Sequence, residues 1–131
     1  MTKRILVVED QDDNRRIIRD LLSSVGYEMI EALDGGAGVQ LAARERPDLI
    51  LMDIQLPVLD GYEATRKIRE NPDLSQIPIV AVTSYALSGD DAKALEAGCN
   101  AYIAKPFSPR ELLATIRGLL GDAPGPVAGD A

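Results

Sequence analysis

Histidine is absent from this 131-residue sequence, and cysteine occurs once, as Cys99. The chain therefore supplies no histidine ligand, no histidine base and no phosphohistidine. A single cysteine excludes an intramolecular disulfide and any metal site that needs several cysteines, and it fits a reduced, cytoplasmic setting. We expect Cys99 to be a small buried residue. Any metal site must then use oxygen ligands.

Long apolar runs and an excess of positive charge are also missing. No run reaches the roughly 18 apolar residues of a membrane span. Residues 1–4 lead directly into a strand-like run, without the long apolar region and cleavage site of a signal peptide. The net charge of −7 argues against non-specific binding to nucleic acid or to a membrane. The length indicates one domain, and 46% apolar residues suffice for a core between a sheet and helices.

Four short apolar runs each end in polar residues with useful chemistry. In chain order, they are Ile5–Val8 before Glu9 and Asp10, Leu49–Met52 before Asp53, Ile79–Val82 before Thr83, and Ala101–Ala104 before Lys105. Short apolar runs separated by helical stretches are typical of buried parallel strands. The carboxyl ends of such strands share one edge, so three acids, a hydroxyl and a lysine would converge there. This edge predicts a site for a divalent cation and a phosphoryl group.

Strands and helices alternate along the rest of the chain. Five strands are predicted at about 4–8, 27–32, 49–53, 77–83 and 101–104, each followed by a helix. Strict alternation favours an α/β fold with a doubly wound five-stranded parallel sheet. The order 2-1-3-4-5 of a flavodoxin-like (βα)5 fold would place a switch point beside Asp10 and Asp53. We expect residues 1–120 to form this domain and residues 121–131 to be a flexible C-terminal tail.

The helices carry expectations about individual side chains. Asp12 or Asp13 is expected to cap the first helix, whose apolar stripe includes Ile17. Ser88 is expected to cap the fourth helix, with Leu95 on its core face. The basic residues of the first helix are expected to form a solvated face, with docking of a partner as the alternative; they are Arg15, Arg16 and Arg19.

The acidic residues at the predicted edge indicate a hard cation. Crowded carboxylates repel one another, and a divalent cation relieves the repulsion. Oxygen ligands suit Mg²⁺ first and Mn²⁺ next. Lys105 can pair with a carboxylate in the empty site and with a phosphoryl oxygen in the filled one, while Thr83 offers a hydroxyl donor. Taken singly, each residue also has an ordinary structural explanation as a cap, a surface charge or a strand residue.

Four motifs in this order resemble the receiver domains of two-component response regulators. They are residues 8–10 (Val-Glu-Asp), 52–57 (Met-Asp-Ile-Gln-Leu-Pro) with 60–61 (Asp-Gly), 82–84 (Val-Thr-Ser) and 105–107 (Lys-Pro-Phe). The resemblance covers about residues 3–120. It implies a single-domain signalling switch, rather than an enzyme acting on other substrates. A histidine kinase or a histidine phosphotransfer protein would donate the phosphoryl group.

The resemblance also implies roles in the chemistry. Asp53 would be the phosphoacceptor, and Thr83 and Lys105 would contact the phosphoryl oxygens. The Mg²⁺ ligands would be Glu9, Asp10, Asp53 and the backbone carbonyl of Gln55. Glu9 stands where Asp is commoner in the family, which leaves metal binding through a water as one option. Because Asp53 is already ionised, no general base is needed, so a chain without histidine can perform this step.

The resemblance further implies how the signal is timed and passed on. Gln55 and Tyr85 would tune the lifetime of the phosphoryl group. Thr83 and Tyr102 would be the switch residues, and a downstream protein would bind helix four, strand five and helix five. The peptide bond before Pro106 would be cis.

Three other interpretations stay open at this point. A phosphatase of the haloacid dehalogenase type also uses an aspartate nucleophile and Mg²⁺. The motif of that class is Asp-x-Asp, in which the second aspartate is the general acid, and in this chain Gln55 stands in its place. An interaction module that never turns over phosphate is the second. A receiver cut from a larger hybrid kinase or regulator is the third, although Met1 and the trailing tail lead us to expect a complete chain.

Overall fold

The computed structural model describes residues 2–56, 59–83 and 90–121. Within these residues the chain forms five strands, five α-helices and one 3₁₀ turn, Pro72–Leu74. The strands are β1 Arg4–Val8, β2 Glu28–Ala32, β3 Leu49–Asp53, β4 Ile79–Thr83 and β5 Ala101–Ala104. The helices are α1 Asp12–Ser24, α2 Gly35–Glu45, α3 Gly61–Glu70, α4 Asp90–Ala97 and α5 Pro109–Leu120. Tyr85, the expected cap Ser88 and tail residues 122–131 lie outside the described residues.

All five strands run parallel in one sheet with the order β2-β1-β3-β4-β5. This order confirms the predicted doubly wound architecture. The direction of winding reverses between β1 and β3, where Val8 pairs with Met52. On the other side of β3, Asp53 pairs with Val82. The residues that follow β1 and β3 therefore lie at the switch point, where open α/β sheets bind their ligands.

Helices cover both faces of the sheet. α2, α3 and α4 pack on one face through small and aliphatic side chains such as Ala42, Ile68 and Ala94. α1 and α5 pack on the other face, mainly through Leu22 and Ile116 and their neighbours. Every residue of β3 is buried, which explains why this strand is a continuous apolar run rather than an alternating one.

Several predictions about the helices are wrong in detail. α1 begins at Asp12, and the cap position is Gln11, whose side chain makes no capping bond. Asp12 and Asp13 instead lie in the first turn, where the positive end of the helix dipole stabilises their negative charge. Ile17 is 54% exposed and Leu95 is 59% exposed, so neither belongs to the core.

Side-chain caps determine where three loops turn into helices. Asp34 accepts a hydrogen bond from the amide of Ala37 at the start of α2, and Asp60 accepts from two amides at the start of α3. Ser108 caps α5 by accepting a hydrogen bond from the amide of Glu111. None of the helices within the described residues has the length and hydropathy needed to cross a membrane.

Candidate phosphoacceptor and metal site

Three carboxylates meet at the carboxyl ends of β1 and β3. One oxygen from each of Glu9, Asp10 and Asp53 lies within 4.8 Å of the others. Glu9 and Asp53 are buried, whereas Asp10 is exposed. Glu9 and Asp10 directly follow β1, and Asp53 ends β3, so the pairing of these two strands brings the acids together. The structure thus assembles the predicted acidic cluster.

Lys105 supplies positive charge beside the cluster. Its Nζ lies 3.1 Å from Asp53 Oδ2 and 3.3 Å from Glu9 Oε1. The next peptide bond, between Lys105 and Pro106, is cis. Burial lowers the pKa of the Lys105 ammonium, but the Asp53 and Glu9 carboxylates outweigh burial and hold this pKa above its usual value. Lys105 therefore stays charged at neutral pH and offsets two buried acids.

The pKa of the buried Glu9 carboxyl is raised above its ordinary value. Burial raises its pKa, and the adjacent Asp53 carboxylate raises it further. A hydrogen bond of 3.2 Å from the amide of Gln11 and the charge of Lys105 act in the opposite direction without cancelling the increase. Burial is the larger of the two causes, and the smaller one, repulsion from Asp53, is what a divalent cation would relieve.

Gln55 connects the predicted phosphoacceptor to the predicted switch threonine. Its backbone amide donates to Asp53 Oδ1 over 3.1 Å, and its side-chain Nε2 donates to the Thr83 hydroxyl over 3.1 Å. Thr83 ends β4 and is fully buried. The sequence motifs pointed to Gln55, but they carried no signal for this side-chain contact.

Tyr102 lies on the strand next to Thr83. In the register of β4 and β5, Thr83 pairs with Ala104 and Ala81 pairs with Tyr102. Because side chains two residues apart along a strand share a face, Thr83 and Tyr102 lie on the same face of the sheet. Tyr102 is partly buried against the core between the sheet and α2, α3 and α4.

Arg15 was expected on a solvated face of α1, and this prediction is wrong. It is only 8% exposed, and its Nη1 donates to the backbone carbonyl of Glu9 over 3.0 Å. Its guanidinium also pairs with Asp12 and Glu31. A basic residue among other basic residues on a helix gives no sequence signal for burial, because two of its partners, Glu9 and Glu31, lie outside the helix. Arg19, which also pairs with Glu31, is exposed.

Comparison with known proteins agrees with this geometry. The profile of the family described as response regulator receiver domain matches residues 5–117. The chain is a response regulator receiver domain. This receiver is 44% identical over 123 residues to the polar-differentiation response regulator DivK of Brucella ovis and of Brucella abortus. The alignment covers 94% of the receiver and all of that relative.

Solved receiver structures share the fold. The receiver domain of the sensor histidine kinase PA1611 from Pseudomonas aeruginosa is 44% identical, with a TM-score of 0.87, and the match covers 93% of this receiver and all of that chain. That crystal structure holds a magnesium ion in its active-site cleft. The chemotaxis protein CheY4 of Vibrio cholerae is 27% identical with a TM-score of 0.85, over 91% of this receiver and 99% of that chain. These findings confirm a role in two-component signalling.

Proposed function

We propose that Asp53 accepts a phosphoryl group in a Mg²⁺-dependent reaction and that this changes a protein-binding surface of the receiver. The observation that carries the proposal is the contact of Lys105 with both Asp53 and Glu9 at the edge where the three acids meet. The PA1611 receiver, with its bound magnesium ion, supports the same assignment. The receiver would catalyse only its own phosphorylation and dephosphorylation.

The donor atoms at the cluster fit Mg²⁺, with Mn²⁺ as the second choice. The proposed ligands are all oxygen atoms, which hard divalent cations prefer. They are the carboxylates of Glu9, Asp10 and Asp53 and the backbone carbonyl of Gln55. When bound, the ion would offset negative charge on the acids and on the phosphoryl oxygens.

Three side chains of the receiver have separate roles in the proposed phosphoryl transfer. A carboxylate oxygen of Asp53 forms a bond to phosphorus while the phosphorus–nitrogen bond of the donor phosphohistidine breaks, and the electron pair returns to the imidazole. Lys105 exchanges its contact with Asp53 for a contact with a phosphoryl oxygen. The Thr83 hydroxyl donates a hydrogen bond to another phosphoryl oxygen. Positioning and charge stabilisation suffice because the transition state of phosphoryl transfer is loose.

Acid-labile labelling tests the acceptor. The receiver should take label from a phosphohistidine donor or a small acyl phosphate only with Mg²⁺, and Asp53→Asn should abolish it. Asp20→Asn, a matched change at an exposed acid of α1, should keep wild-type labelling. Label retained in Asp53→Asn, or labelling that survives a chelator, would reject Asp53 as the metal-dependent acceptor.

We further propose that the donor protein docks beside Lys105. A groove of about 340 Å³ lies there, lined by Asn14, Ile17, Lys105, Pro106 and Phe107. Ile17 is 54% exposed, so it offers apolar surface in the groove that Lys105 also lines, and Lys105 contacts Asp53. A histidine kinase or histidine phosphotransfer protein seated on this groove would bring its phosphohistidine to Asp53.

Two charge insertions at similarly exposed apolar residues test this docking face. Ile17→Glu should slow transfer from a protein donor and leave labelling by a small acyl phosphate unchanged. Leu95→Glu, on α4, should leave both reactions unchanged. If Ile17→Glu transfers from the protein donor as fast as wild type does, the donor docks elsewhere.

Downstream, we propose that the target binds the surface formed by α4, β5 and α5. The exposed Leu95 on α4 and the closeness of Thr83 and Tyr102 on the sheet support this choice. A receiver domain within a longer kinase remains the alternative to a separate regulator, since the similar proteins include both kinds. The cytoplasmic location and residues 1–120 as the domain also remain predictions.

A further inference from the structure

A buried arginine lies directly behind the acidic cluster. The guanidinium of Arg15 reaches three elements at once. Nη1 donates to the carbonyl of Glu9 over 3.0 Å, Nε donates to Glu31 Oε1 over 3.2 Å, and Nη2 pairs with Asp12. It thus links the loop after β1, the first turn of α1 and strand β2.

The main chain of Glu9 is consequently held on both sides. Its amide donates to the carbonyl of Ala32 over 3.0 Å, and its carbonyl accepts from Arg15. Its carboxylate is oriented separately, by the amide of Gln11 and by Lys105. The carbonyl that Arg15 binds belongs to the peptide unit joining Glu9 to Asp10. The orientation of this peptide unit determines where the exposed Asp10 side chain begins.

We propose that Arg15 is a positioning residue for the metal acids, whose buried guanidinium holds the Glu9–Asp10 peptide unit in the conformation that binds Mg²⁺. This inference rests on the proposed metal site. Arg15 contacts the main chain behind the carboxylates and acts through Glu9 and Asp10. Loss of such an outer partner of a metal site typically lowers metal affinity about 10- to 100-fold.

The positive charge of Arg15, considered by itself, predicts the opposite change in Mg²⁺ affinity. A buried cation behind the acids repels a divalent cation, so removing the charge alone would strengthen Mg²⁺ binding. Arg15→Met removes charge and donors together, whereas Arg15→Lys keeps the charge but loses the planar fork that serves three acceptors. Arg19→Met is the matched control. Arg19 also pairs with Glu31, through contacts of 2.6 and 3.2 Å, whereas Arg15 makes the contact with the Glu9 carbonyl.

Calorimetric titration of the full chain with Mg²⁺, below the melting temperature of each variant, tests the inference. We expect Arg15→Met to bind Mg²⁺ about tenfold more weakly or worse, Arg15→Lys to be intermediate, and Arg19→Met to match wild type. In NMR spectra of the metal-free protein, the Asp10 and Gln11 amides should shift in both Arg15 variants and stay in place in Arg19→Met.

Each contrary result has a distinct meaning. Tighter binding in Arg15→Met with wild-type binding in Arg15→Lys would show a purely electrostatic effect and overturn the inference. A lower melting temperature with unchanged Mg²⁺ affinity would show a purely structural role and also overturn it. If Arg15→Met does not fold, wild-type affinity and an unmoved Asp10 amide in Arg15→Lys would overturn it. A wild-type chain that binds no Mg²⁺ would overturn the metal site itself.

Discussion

Among single residues, Thr83 occupies the position best suited to pass a change at Asp53 into the sheet. Its hydroxyl is bound by Gln55, whose main chain is bound to the Asp53 carboxylate. It also shares a face of the sheet with Tyr102 on the next strand. A phosphoryl group brings about two negative charges and new acceptor oxygens. A threonine that turns towards those oxygens leaves space beside Tyr102.

We predict that Thr83→Ala still accepts the phosphoryl group but does not pass on the signal. Asp53 and Lys105 remain in place for acceptance, whereas the hydroxyl that would couple the site to β5 is lost. NMR with a bound phosphoryl mimic should show small shifts in α4 and β5 compared with wild type. Thr65→Ala, at another fully buried threonine, should respond as wild type does. Wild-type shifts around Tyr102 in Thr83→Ala would mean that the signal leaves by another route.

The raised pKa of Glu9 predicts a dependence of stability on pH in the metal-free receiver. Folded Glu9 binds its proton more tightly than the unfolded chain does, so its ionisation opposes folding. The contribution of Glu9 to the free energy of unfolding should therefore fall as the pH rises from about 4.5, its ordinary pKa, through the folded pKa. Urea unfolding of wild type and Glu9→Gln in chelator, compared across this interval, measures the difference. A contribution that rises with pH would contradict the prediction.

At the scale of elements, the start of α3 packs tightly against the backbone of the proposed acceptor. A Cβ added to Gly61 would lie 2.4 Å from the carbonyl oxygen of Asp53 and 2.7 Å from the Cα of Ile54. The amide of Gly61 also donates to the carbonyl of Ile54 over 3.0 Å. The absence of a side chain at Gly61 thus lets the helix begin directly beneath the site.

Gly61→Ala should therefore destabilise the receiver by about 1–3 kcal/mol and slow its labelling, because the backbone at Asp53 must move. Gly118→Ala is the matched control within α5. A Cβ there has nothing within 4 Å, so this change should stabilise the receiver by about 0.5–1 kcal/mol. Urea unfolding and acyl-phosphate labelling of both variants measure the two effects. Equal stability of Gly61→Ala and wild type would contradict the packing argument.

The elements also show what the sequence could and could not predict. The strands were predictable because buried parallel strands are continuous apolar runs, and most of these runs give way to polar or charged residues where the strand ends. The inward face of α1 was only partly predictable. Periodicity placed Ile18 and Leu22 in the core correctly, but it also placed Ile17 there, and Arg15 is buried instead. An arginine can fill such a position when acids from elsewhere, here Glu31 of β2, offset its charge.

For the molecule as a whole, strand order was the decisive prediction. Once β1, β3, β4 and β5 lie side by side, the residues at their carboxyl ends must meet. The predicted strand order and the motifs at the strand ends were therefore enough to locate the site. Contacts that depend on side-chain conformation were beyond the sequence. The bonds from Gln55 to Thr83 and from Arg15 to Glu9 require the neighbours in space, which no spacing along the chain reveals.

The C-terminal boundary leads to a prediction about the whole chain. Gly121 ends α5 in the left-handed region, with φ of 76°, and its amide donates to the carbonyl of Arg117. Residues 122–131 carry two prolines and no apolar periodicity. A chain that ends after Gly121 should thus match the stability of the full chain to within about 0.5 kcal/mol. A melting temperature lower by several degrees would show that the tail is docked on the domain.

The contact of Lys105 with Glu9 and Asp53 also bears on how the protein is made. A ribosome releases the three acids early and the lysine late, since the chain emerges from its N-terminus. Until the segment that carries β5 has emerged, the growing chain has Asp53, the proposed acceptor, but lacks Lys105, whose charge would balance a transferred phosphoryl group. A nascent or prematurely terminated polypeptide should thus be a poor recipient for the kinase, and phosphoryl groups should go to finished molecules.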